Sequence, residues 1–143
     1  MYEYRATLRR IVDGDTVDVD IDCGFDIVLS NQRIRLYGID TPESRTRDLE
    51  EKKFGKLAAQ FLMDNLPTTF TLRTRLDGKG KYGRILGELV TYYAEYDREV
   101  SLNQVMIQKN LAVAYTGQSK DDIEAEHLKN REILYESGVV ARG

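Results

Sequence analysis

Between Ile34 and Pro42 the chain is forced into a strand that must stop. Ile34 and Leu36 alternate with Arg35 and Tyr37, so two apolar side chains face one way and a guanidinium faces the other. Pro42 cannot donate to a ladder and pushes Thr41 toward extended geometry, so the chain leaves its sheet near Asp40. A cation on the strand and the carboxylates of Asp40 and Glu43 then lie within a few residues of one another. Carboxylate and carbonyl oxygens suit a hard cation, and a planar guanidinium suits a phosphate. An ordinary ion pair of Arg35 with Asp40 or Glu43 would give the same pattern.

The rest of the chain can be placed around that stretch. Tyr4 to Val12 predicts a first strand, and Asp13-Gly14 a hairpin turn. Val17 to Asp22 has strict period two, with valines and isoleucine inward and aspartates on a solvated face. Cys23-Gly24 marks a turn into an arm from Phe25 to Tyr37. Its apolar phase changes between Ile27/Leu29 and Ile34/Leu36, which predicts a bulge or irregular turn at Ser30-Asn31-Gln32.

Glu50 to Leu66 predicts a helix that presents Phe54, Leu57, Ala58, Phe61 and Leu62 on one face and is closed by Pro67; Gly55 sits oddly within it. Strands follow over Thr68 to Leu76 and Ile85 to Tyr93, separated by a turn at Asp77 to Lys81. Ser101 and Gln104 match a capping box for a short helix ending near Asn110. Leu111 to Tyr115 is a short extended piece, and Asp121 to Tyr135 a third helix stopped by Gly138. Three strands, a helix, two strands and two helices predict an α+β, mainly β fold: a five-stranded OB-fold barrel with three helices. At 143 residues the chain is expected to be one domain, residues 1–143.

Composition bounds the function. No apolar run approaches the length of a membrane span, and Met1 to Arg5 has no apolar signal region. The chain is therefore expected in the cytoplasm, or exported or phage-encoded if a leader has been removed. Cys23 is the only cysteine and cannot form an internal disulfide. The formal charge of -3 argues against strong non-specific attraction to nucleic acid. Local basic clusters run against that balance, one at Arg33, Arg35, Arg45 and Arg47 and another at Arg73, Arg75, Lys79, Lys81 and Arg84.

Three places can carry chemistry. Asp13-Gly14-Asp15-Thr16 offers two carboxylates at a turn, although Asp and Gly are also plain turn residues. Arg35 with Asp40, Thr41 and Glu43 is the second. Lys81-Tyr82-Gly83-Arg84, entering the last barrel strand, is the third; alone it reads more readily as a solvated hairpin. Together they supply what phosphodiester hydrolysis requires: carboxylates for a metal, a base for water, and cations for the developing charge.

These motifs, in this order and spacing, resemble the staphylococcal nuclease-like (thermonuclease) family over nearly the whole chain, from Tyr4 to about Gly138. Leu111 to Tyr115 is similar to the family's tyrosine-bearing segment. The resemblance implies a calcium-dependent nuclease that hydrolyses DNA and RNA, preferably single-stranded, and leaves 3′-phosphate ends. It implies that Asp15, Asp40 and the Thr41 carbonyl ligate Ca2+, with Asp13 behind them. Glu43 would be the general base acting through water, and Arg35 and Arg84 would grip the phosphate. Lys81, Tyr82 and Tyr115 would contact the nucleotide. A monomer is expected. The competing reading is a non-catalytic OB-fold module that binds single strands.

The chain departs from the family pattern in two respects. It is acidic, so weak binding and strong salt sensitivity are expected. Its Cys23 to Gln32 region also looks longer than the corresponding hairpin of the best-known members. Other motifs fail on context. Gly78 to Gly83 satisfies G-x-G-x-x-G but lies between two strands. Asp18-x-Asp20-x-Asp22 opens like an EF-hand loop but has Cys23 and Leu29 where Gly and Glu are needed. His127, the only histidine, is expected to be structural or exposed.

Overall fold

Alternation sets the barrel. The computed structural model describes residues 2–79 and 85–143. Strands β1 (Tyr2–Asp13), β2 (Thr16–Asp22) and β3 (Val28–Leu36) form an antiparallel meander. A two-residue strand β4 (Ile39–Asp40) and helix α1 (Leu49–Asn65) lead to β5 (Thr69–Lys79) and β6 (Ile85–Tyr93). Strand order is β3-β2-β1-β5-β6, and a parallel pairing of β3 with β6 closes the ring. The result is the five-stranded barrel of the OB type, mainly strand, with three helices among the described residues. β7 (Arg98–Ser101) extends β6 outward. Helix α2 (Leu102–Gln108), strand β8 (Val113–Ala114) and helix α3 (Lys120–Glu136) complete the chain, and β8 pairs with β4.

The core fills the barrel and the space beneath α1. Val17, Val19, Ile34, Leu36, Leu72 and Leu89 point inward and are fully buried. Phe54, Ala58 and Leu62 of α1 close over them, with Leu57 and Phe61 partly buried at the edge, so the expected apolar face of this helix holds. Asp48 caps α1 by accepting from the amides of Glu50 and Glu51, and Pro67 follows its end. The buried Asn103 of α2 accepts from the Leu89 amide at 3.1 Å. It also donates to the carbonyls of Tyr37 at 2.9 Å and Gly87 at 3.2 Å, tying the helix to the seam where β3 meets β6.

The bulge expected in β3 is present: Ser30 and Asn31 both fall opposite Asp20 between the pairs Val19↔Gln32 and Ile21↔Leu29. Asn31 adopts positive φ there, and its amide donates to the Asp20 carboxylate at 2.8 Å. The adjoining hairpin tip leaves Phe25 98% exposed.

Three local expectations change. Asp18 is not on a solvated face. Its strand neighbours in register are Arg10 and Arg33. Both cover it, with contacts of 3.2 and 2.9 Å, and leave it buried. Ser101 precedes α2 but makes no capping hydrogen bond, and its hydroxyl is buried without a partner. It is paired to Val90 as the last residue of β7, so the chain turns from ladder to helix without a capping box. At the β1–β2 hairpin the ladder runs to Asp13↔Thr16, so the turn residues are Gly14 and Asp15, neither at positive φ. Gly14 is required for space instead. A β-carbon there would lie 2.7 Å from the Ala58 side chain and 3.0 Å from Thr41 Oγ1.

Candidate active site

One open cleft of about 1150 Å³ lies at the end of the barrel, and five segments of the chain meet in it. The β1–β2 turn brings Asp13 and Asp15. The end of β3 brings Arg35. β4 and the loop after it bring Asp40, Thr41 and Glu43. The segment after β8 brings Tyr115, Thr116, Gly117 and Gln118, and α3 adds Lys120, His127 and Arg131. Backbone hydrogen bonds hold these segments in place: Leu36 N donates to Asp15 O at 2.8 Å, and Tyr115 N to Gly38 O at 2.8 Å. Gly38, at φ +79°, makes the reversal from β3 into β4.

Arg35 lies between the two aspartates. Its guanidinium stands 3.4 Å from Asp15 Oδ2 and 3.5 Å from Asp40 Oδ1, and it donates to Leu36 O at 3.1 Å. Both ion contacts are long for charge-assisted hydrogen bonds. Asp15 is steadied by the Thr16 hydroxyl at 3.0 Å on Oδ1 and the Thr41 amide at 3.4 Å on Oδ2. The Thr41 hydroxyl is buried beside Gly14 without a partner. Asp13 accepts from the Gly14 amide at 2.8 Å. Glu43 is exposed on the cleft rim, and its amide donates to Glu51 Oε2 of α1 at 3.1 Å.

Of the residues singled out from sequence, Asp13, Asp15, Arg35, Asp40, Thr41, Glu43 and Tyr115 all line this cleft. Lys81, Tyr82 and Arg84 lie outside the described residues. Of the second basic cluster, the described side chains are those of Arg73, which pairs with Glu3, and Arg75, which lies 4.1 Å from the centre of the Tyr37 ring, with Glu88 nearby. Sequence reading missed two lining residues. His127 is buried, and its Nε2 stands 2.7 Å from Asp40 Oδ2. Arg131, one helical turn later, donates to Glu50 Oε1 at 3.0 Å. Their four-residue spacing puts both on one face of α3, but nothing in the chain says which strand that face meets.

A carboxylate pair with a neighbouring backbone carbonyl is an all-oxygen set, which suits a hard divalent cation. Among the described residues no group of three or more His, Cys, Asp and Glu side chains is placed to hold an ion by itself. Asp15 and Asp40 would therefore share an ion with carbonyl, water or phosphate oxygens. Each carboxylate keeps lone pairs beyond the hydrogen bonds it accepts, and the contacts to Arg35 are long, so the residues fit such an ion.

Comparison with known proteins points the same way. The profile of the family described as "Staphylococcal nuclease homologue" matches residues 33–134. The chain is 38% identical over 81 residues to the Thermonuclease of Staphylococcus intermedius, covering 55% of this chain and 44% of that protein. It is 32% identical over 118 residues to the Micrococcal nuclease of Shigella flexneri, covering 79% and 59%. It is 31% identical over 96 residues to Endonuclease YhcR of Bacillus subtilis (strain 168), covering 62% and 8%. The chain thus spans less than two-thirds of the length of each of these relatives.

Proposed function

This chain belongs to the staphylococcal nuclease family, and we propose that it is a calcium-dependent nuclease that cleaves DNA and RNA and leaves 3′-phosphate ends. Residues 1–143 are proposed to act as a single domain. The observation that carries the proposal is the convergence of Asp15, Arg35, Asp40 and Glu43 on one cleft, although they come from separate turns and strands. The names of the relatives, nucleases in each case, support the same reaction class.

Asp15, Asp40 and the Thr41 carbonyl would hold the Ca2+ ion. When bound, the ion supplies Lewis-acid polarisation of the phosphodiester and neutralises its charge. The remaining work belongs to the chain. Glu43, on the rim, accepts the proton of the attacking water as its oxygen bonds to phosphorus. The bond from phosphorus to the 5′ oxygen then breaks, the departing oxygen takes a proton from solvent water to leave as a hydroxyl, and the phosphate stays on the 3′ side. Arg35 is already inside the cleft and takes the phosphate through a planar fork. Arg84 is assigned the same task on the developing charge; Leu86, two residues after it, lines the cleft. An arginine in that role is worth about 10³–10⁵ in rate. Tyr115 is half exposed at the cleft and can stack on an unpaired base without reading sequence. Lys81 and Tyr82 are assigned to the same nucleotide, and unpaired strands are the preferred substrate.

The test is release of acid-soluble nucleotides from single-stranded DNA, double-stranded DNA and RNA, with calcium and with chelator. Calcium-dependent release, fastest on single strands, is expected. Equal release with chelator, or tight strand binding without cleavage in calcium, overturns the proposal.

A further inference from the structure

We propose that His127 is a positioning residue that fixes the Asp40 carboxylate for cation binding, so that α3 presets the ion site; the inference rests on the nuclease reading above.

Asp40 sits on a strand of only two residues, held by two register pairs with β8. So short a ladder fixes its backbone, while its side chain still has staggered alternatives open to it. One of them is selected by a residue 87 positions away: His127 Nε2 lies 2.7 Å from Asp40 Oδ2. An ionised carboxylate only accepts hydrogen bonds, so Nε2 carries the hydrogen and donates it. The other oxygen, Oδ1, then faces Arg35, which also faces Asp15. The imidazole holds the outer oxygen and leaves the inner one on the side shared with Asp15.

The histidine is itself well held. It is 7% exposed. Arg131, one turn along the same helix face, donates to Glu50 at 3.0 Å and so fixes the rotation of α3 against α1. The carboxylate is more open than the ring that holds it, with side-chain exposures of 33% and 9%. That asymmetry suits an orienting group behind a ligand that must face the cleft. Removing an outer hydrogen-bond partner of a metal ligand typically costs about 10- to 100-fold in metal affinity.

The experiment reads calcium binding directly, without substrate. Calorimetric titration of the wild-type chain with Ca2+ is compared with His127→Phe and His127→Gln, and circular dichroism checks that each is folded. His127→Phe is expected to weaken calcium binding about 10- to 100-fold. His127→Gln, which keeps an N–H donor, is expected to recover much of the loss. A role confined to packing would be served as well by the phenyl ring, so Phe with unchanged affinity overturns the proposal. If His127→Phe fails to fold, the wild type still decides: with only one histidine, its ring resonance is unambiguous. That resonance must shift on calcium addition and saturate with the binding isotherm; a ring that does not respond overturns the proposal. A wild type that binds no calcium at all removes the nuclease reading. A His127→Phe variant that binds calcium as well as a calcium-binding wild type removes only this one.

Discussion

Gly55 in the middle of α1 lies where the Glu43 backbone passes. A β-carbon at Gly55 would stand 2.4 Å from both the carbonyl carbon and the oxygen of Glu43. In an open helix, Gly→Ala stabilises by about 1 kcal/mol. Here the overlap is with backbone and must be relieved by moving the loop. Gly55→Ala is expected to destabilise by about 1–3 kcal/mol and to lower turnover more than it raises KM, because the loop carries Glu43. Urea unfolding with steady-state kinetics on one preparation measures both. A variant with normal turnover would separate Glu43 from the reaction.

Glu43→Gln keeps the size of the side chain but cannot take a proton. Its rate is expected to fall at least ~100-fold, with unchanged unfolding, since Glu43 is exposed. Arg84→Ala is expected to lose at least ~100-fold as well. Single-turnover cleavage at saturating calcium is the readout, and full activity in either variant removes that assignment.

Asp18 gives a pH-dependent contribution to stability. Hydrogen bonding and charge from Arg33, aided by Arg10, outweigh burial and hold its carboxyl below the ordinary 3.8. A depressed folded-state value stabilises above the unfolded pKa, and the benefit is lost as pH falls through the folded one. Asp18→Asn is therefore expected to be less stable than wild type by about 1–2 kcal/mol at neutral pH. The two arginines remain half in water, which trims that figure. The gap should narrow as pH drops below 3.8. Unfolding midpoints across that range test it; a gap independent of pH would show that the pairing does not act through ionisation.

Asn103 is fully buried with three hydrogen bonds, to Leu89, Tyr37 and Gly87. Truncation removes the side-chain partner of the Leu89 amide and the Tyr37 carbonyl, while the Gly87 carbonyl keeps the Tyr37 amide at 2.8 Å. Asn103→Ala is expected to cost about 3 kcal/mol, seen as a lower urea midpoint at unchanged slope. A loss under ~0.5 kcal/mol would show that water replaces the side chain.

Local pattern carried much of this structure. The alternation at Val17 to Asp22, the apolar face from Phe54 to Leu62 and the phase change at Ser30 to Gln32 each report short-range geometry, and each element formed where expected. The cleft residues from Asp13 to Glu43 were legible because their order and spacing resemble a known family. Long-range facts were hidden. The burial of Asp18 depends on register between three strands. Strand β7 is short and takes its identity from its partner rather than propensity, and although β8 falls within the extended piece expected at Leu111 to Tyr115, its pairing with β4 has no local signal. Gly14 reads as a turn glycine, yet its need is set by Ala58 and Thr41 across the fold. The bond from His127 to Asp40 joins two elements whose facing sides no local spacing encodes.

Among the described residues, three register pairs between β3 and β6 close the barrel, and Arg35 sits on the middle one, opposite Leu86. The guanidinium is therefore stitched into the zip line itself. A chain cut short before Leu86 would carry Asp13, Asp15, Asp40 and Glu43 yet lack the strand that pairs with Arg35 beside them. Assembly of the cleft and closure of the ring should consequently be gained in one event during folding.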